Sequence, residues 1–171
     1  MHKLTMIGSM VLILALLNFS IFQREEHLEK GELVYLKLAP VDPRSLMQGD
    51  YMALNFGMAR DISNALPHNT SYGRFWRRDV KSNDGCVVVH LDKRKVAFFD
   101  HISKGYKLEK NQMLLQYRVR GGEVKFASNA FFFEEGTGER YEKAKFGAFR
   151  VNAKHELLLV SLYDDNLTKI N

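Results

Sequence analysis

Side chains able to carry chemistry gather in two stretches of this chain. The first is "DPRSLMQGDYMALNF", residues 42–56, which sets Asp42, Arg44, Ser45, Asp50 and Tyr51 around Gly49. The second is "FFFEEGTGERYEKAKFGAFRV", residues 131–151, which carries Glu134, Glu135, Tyr141 and Arg150. A carboxylate at a bend accepts backbone amides or pairs with a guanidinium. Asp50 and Arg150 are therefore the expected charge-assisted link between the two stretches, with Arg44 and Glu135 beside them. Glu134 and Glu135 could together do acid–base work or hold a cation. Neighbours along a strand point to opposite faces, so the expected role is one glutamate capping the turn that follows.

Nucleophiles are sparse. Ser45 precedes Gly49-Asp50 and Lys95 is expected to start a later strand, an order shared with membrane-anchored serine–lysine peptidases. The spacing departs from those enzymes, because Ser45 is too close to Gly49 and falls in an expected helical turn. A serine–lysine hydrolase is thus the second reading of function. Cys86 is the only cysteine, which rules out an intramolecular disulfide, and its place at the head of "CVVVHL" suits a small apolar core residue. The histidines, His2, His27, His68, His90, His101 and His155, have no metal-ligand spacing, and the chain carries no P-loop or dinucleotide fingerprint. No metal or other cofactor is expected.

The elements that must position these groups begin with an apolar run. Residues 4–22 carry no charge, and nineteen helical residues at ~1.5 Å each come to about 28 Å, close to a bilayer core. Small residues suited to signal cleavage are missing after the run, so an uncleaved anchor is expected. The helix should continue through "QREEHLEK", aided by a Glu26–Lys30 pair, and stop at Gly31. Residues 1–30 are read as anchor and juxtamembrane extension. Residues 31–171 are read as one domain outside the cytoplasm, at the periplasmic face of a bacterial inner membrane.

Past Gly31 the pattern turns to short β-type runs. "ELVYLKL" and "YMALNF" read as strands, with Met52, Leu54 and Phe56 facing the core. The opening of the first stretch reads as a helical turn: Asp42 as N-cap, Pro43 at N1, and Gly49 as the stop. "GMARDISNALP" predicts a short helix before Pro67. "CVVVHLDKRKVAFFD", "QMLLQYRVRGGEVKFASNAFFF" and "FGAFRVNAKHELLLVSLYD" read as three hairpins, the middle one turning at Gly121-Gly122. About eight strands and two short helices make a mainly β protein, a single antiparallel sandwich or partly closed barrel of the β-rich α+β kind. The net charge of +5 collects in "RFWRRDVK" and "DKRK". No nucleic-acid module accompanies it, and nucleic acid is not an expected partner.

Gly49-Asp50-Tyr51, then Leu54, then Phe56, resembles the signature of the bacterial GDYXXLXY family, with phenylalanine where the signature ends in tyrosine. "PVDPRSLMQGDY" resembles that family's approach to the signature, and the 131–151 stretch resembles its C-terminal block. The resemblance implies a membrane-anchored envelope protein of uncharacterised function and no defined activity. It also implies that a polytopic membrane protein is the expected partner.

Overall fold

The computed structural model describes residues 2–39, 47–48, 51–67, 84–103, 105, 108–128 and 130–170. A single helix, α1 (His2–Lys30), runs unbroken from the apolar segment into the polar extension. Its 29 residues are about 43 Å long. The helix is long and apolar enough to cross a membrane, and none of its apolar window is buried against the rest of the chain.

Ten strands follow among the described residues: β1 (Glu32–Lys37), β2 (Met47–Gln48), β3 (Tyr51–Ala53), β4 (Asp84–Leu91), β5 (Ala97–Ile102), β6 (Gln112–Arg120), β7 (Glu123–Lys125), β8 (Ala130–Phe132), β9 (Phe146–Val151) and β10 (Leu157–Tyr163). They form antiparallel sheets in the orders β1-β9-β10, β5-β4-β6-β7 and β2-β3-β8. β1 touches the start of β5 through a Tyr35–Val96 bridge, backed by Tyr35 N donating to Lys95 O at 2.9 Å. The sheets curl into a half-barrel, which decides the choice between barrel and sandwich.

Helix α2 (Gly57–Ala65) buries Met58 and Ile62 beneath this curl. Alternation puts Val34 and Leu36 of β1, Val87 and Val89 of β4, Leu115 of β6 and Phe149 of β9 in one core. Met52, Leu54 and Phe56 join them as expected. The Phe56 ring meets Phe126 and Phe149 edge-on at 5.8 and 5.5 Å. The tyrosine hydroxyl missing from the end of the signature would therefore enter the core.

Several expectations need correction. Met47 and Gln48 are not helical; they pair antiparallel with Met52 and Tyr51. The cross-strand pairing overrides the local helix signal. The middle hairpin holds, with Gly121 and Gly122 both at positive φ, but its second arm ends at Lys125. β8 then leaves to pair with β3, so one continuous sequence run serves two sheets. Lys95 does not begin a strand. It is the left-handed residue (φ 63) of a turn, and β5 starts at Ala97.

That turn recurs. Asp92 Oδ1 accepts the amides of Arg94 and Val96, Asn152 Oδ1 those of Lys154 and Glu156, and Asp164 Oδ1 those of Asn166 and Thr168. In each, the third residue on has positive φ: Lys95, His155 and Leu167. An Asp or Asn opens each turn because its short side chain reaches two amides the backbone leaves unpaired. The "DKRK" cluster is thus a hairpin tip organised by Asp92. Replacing Asp92 with alanine should lower stability by about 1–2 kcal/mol. Lys95→Gly should raise it by up to about 1 kcal/mol by relieving the left-handed strain. Thermal unfolding of the full chain in detergent checks both.

Candidate functional site

The end of α1 is tied to the central strand of the β1-β9-β10 sheet by two reciprocal bonds, next to a third that closes the helix itself. The Gly31 amide donates to His27 O at 3.0 Å, closing the helix. The His27 Nε2 donates to the Arg150 carbonyl at 2.8 Å. Arg150 Nη1 in turn donates to the Gly31 carbonyl at 2.9 Å. Arg150 is next to last in β9, the central strand of its sheet, opposite Leu33 of β1 and Leu158 of β10. His27 is 6% exposed, and none of its buried polar atoms lacks a partner.

Gly31 ends the helix, as expected, but for a different reason. It is not among the positive-φ glycines. A Cβ there would lie 2.5 Å from His27 O and 2.8 Å from Arg150 Cβ. The requirement is close approach of helix to sheet.

Beside this joint a cleft of about 1160 Å³ opens between the last turns of α1 and the domain. That volume is at or above the ~300–1,000 Å³ of typical ligand sites. Ser20 and Arg24 line it from α1, Arg118 from β6, Phe132 from β8, Lys154 from the Asn152 turn and Leu159 from β10. Glu26 is held by Lys30 at 2.8 Å, and Glu156 accepts from Asn152 Nδ2 at 2.8 Å. Arg118 Nη2 donates to the Ala127 carbonyl at 2.9 Å.

At the cleft rim, Phe132 is 73% exposed. Its ring lies 5.7 Å from that of Tyr51, its register partner across β3. The residues on either side of it turn the other way: Phe131 and Phe133 pack on Tyr141 at 5.1 and 5.2 Å. Tyr141 ends a 3-10 helix (Gly138–Tyr141). Tyr51 and Tyr141, from the two predicted stretches, are thus joined through the three consecutive phenylalanines.

The remaining predicted residues divide. Asp42, Arg44, Ser45, Gly49 and Asp50 lie outside the described residues, and with them the Asp50–Arg150 and Ser45–Lys95 pairs and the "RFWRRDVK" segment. Glu134 and Glu135 are both exposed and follow the end of β8. The turn that follows is closed by backbone and threonine: the Glu134 carbonyl accepts from Thr137 N at 3.1 Å and Thr137 Oγ1 at 2.7 Å, and the 3-10 helix after it has no side-chain cap. Cys86 is half-buried in β4, and burial pushes its thiol up, away from the reactive thiolate. Among the described residues no three His, Cys, Asp or Glu side chains gather as a metal-ligand set.

Sequence reasoning missed His27, Phe132, Arg118 and Lys154. The signal available for His27 was its place one turn before Gly31; nothing local marked the others, which meet only through sheet pairing.

A β-rich half-barrel joined through His27, Gly31 and Arg150 to an apolar helix of membrane-spanning length defines the class. The GDYXXLXY protein family model matches residues 13–162, so the chain belongs to the GDYXXLXY family. No curated protein and no solved structure matches it.

Gly31→Ala should force the helix end away from β9 and cost about 1–3 kcal/mol, since both neighbours are close to the backbone. His27→Ala should cost less, about 1 kcal/mol. Hydrogen exchange at the Arg150 and Val151 amides, with thermal unfolding of the same variants, measures the loosening.

Proposed function

We propose that this protein is a non-enzymatic binding protein of the bacterial envelope, anchored in the inner membrane by α1. In this reading the half-barrel stands on the periplasmic side and acts together with a polytopic membrane protein. The observation that carries it is Phe132. An aromatic ring left three-quarters open, backed by Tyr51 and set on the rim of the cleft that Ser20 lines, is the kind of anchor that binding surfaces use. Its position beside the end of the apolar helix favours a partner that is itself in the membrane. The joint of His27, Gly31 and Arg150 supports the same reading, since it gives the domain one orientation on its anchor.

The glutamates and Tyr141 contribute by shape. Phe131 and Phe133 on Tyr141 hold β8 so that Phe132 faces outward, and the exposed Glu134 and Glu135 follow it in the chain.

A photoreactive residue at position 132, introduced into the full chain in intact membranes, should capture one integral membrane protein reproducibly. The same residue at Phe98, an exposed ring on β5 of the four-stranded sheet, should not. Equal capture at both positions, or none at 132, would sink this reading.

A further inference from the structure

The cleft at the foot of the helix has a composition of its own. Four cationic side chains, Arg24, Lys30, Arg118 and Lys154, line it against two carboxylates, Glu26 and Glu156. Lys30 is taken by Glu26 and the Glu156 carboxylate by Asn152. Among the described residues Arg24 and Lys154 form no ion pair; Arg118 donates to the Ala127 carbonyl, and its charge also acts on Asp84, its register partner, which Arg120 holds at 2.7 Å. Three cations thus face one concave space with no ion pair closer than 4 Å among the described residues.

That space reaches the end of the apolar run. Ser20, which lines it, lies inside the charge-free segment that ends at Phe22, and Arg24 follows two residues later. At 1.5 Å per residue, Arg24 stands about 3 Å beyond the apolar boundary and Lys30 about 12 Å beyond it. Phosphodiester groups of a bilayer lie in that layer. Leu159 and Phe132 supply apolar wall beside the cations, where the first carbons of a lipid would lie.

We propose that this cleft holds the headgroup of an anionic phospholipid from the surrounding bilayer. Arg24, Arg118 and Lys154 contact its phosphate and neighbouring oxygens, and Leu159 and Phe132 flank the glycerol and upper acyl carbons. The proposal rests on α1 being a membrane anchor and not on the identity of the protein partner. It accounts for why cations of α1, β6 and the Asn152 turn, remote in sequence, converge on one opening.

Native mass spectrometry of the full chain in mild non-ionic detergent tests it, with phosphatidylglycerol and phosphatidylcholine of matched acyl chains as probes. The wild-type chain should retain phosphatidylglycerol selectively, less so as salt is raised. Combined Arg24→Gln, Arg118→Gln and Lys154→Gln substitution should reduce that retention by at least about tenfold. Arg118 also bonds the Ala127 carbonyl, so the Arg24→Gln, Lys154→Gln pair provides a variant that keeps the described side-chain bonds of the cleft; it should lose several-fold. Equal retention of the two lipids by the wild type, or unchanged retention by both variants, overturns the proposal. If the variants keep the lipid but lose capture from position 132, the cleft serves an acidic protein surface and the lipid assignment falls. If capture from position 132 is absent in the wild type while selective retention is present and charge-dependent, the lipid site stands and the protein-partner reading fails.

Discussion

The joint between Arg150 and the end of α1 is the contact on which the remaining geometry depends. A helix and a sheet can meet closely only where a side chain is absent, and Gly31 provides that gap. Arg150 then uses both its backbone and its guanidinium, accepting from His27 and donating to Gly31. Each bond satisfies a group that would otherwise be a helix-terminal carbonyl or a buried imidazole N–H lacking a partner. Because Arg150 is in the central strand of its sheet, the constraint passes directly into the half-barrel. The cleft exists because α1 is held against β9 and β10 at one end.

The aromatic block answers to a second constraint, alternation along β8. Three consecutive phenylalanines cannot all face inward. Phe131 and Phe133 take Tyr141, and Phe132 is left on the side of Tyr51. The two stretches richest in polar functional groups are therefore coupled by apolar rings. Described contacts between them include Tyr51 and Met52 pairing with Phe132 and Phe131, and the Phe56 ring against Phe149.

Much of the fold was legible because its signals are local. The hairpin of β4 and β5 follows from two β-branched or aromatic runs around Asp92, and the last hairpin from "FGAFRV" and "ELLLVSLY" around Asn152. The length of α1 follows from a charge-free run that continues into a paired Glu26 and Lys30. What could not be read was set by pairing at a distance. Met47 and Gln48 look helical beside Pro43 but are strand because Tyr51 and Met52 lie opposite them. β8 looks like the arm of a hairpin with β6, yet it pairs with β3 because the turn after Lys125 redirects the chain. The same holds for the candidate site. Tyr51, Tyr141 and Arg150 could be singled out by their neighbours in sequence. Phe132, Arg118 and Lys154 acquire meaning only from the cleft that the tertiary structure builds, and His27 only from the sheet it meets.

The unbroken passage of α1 from apolar run to sheet turns the helix into a setting of rotational phase. Each residue of an α-helix advances its direction by about 100°. With no linker between Phe22 and His27, the residue that faces a given lipid or neighbouring helix within the bilayer also fixes the compass direction in which Phe132 and the cleft point above it. One residue added to or removed from that segment would turn the domain by more than a quarter of a circle about the membrane normal while leaving its interior untouched. The juxtamembrane sequence therefore sets heading as well as height.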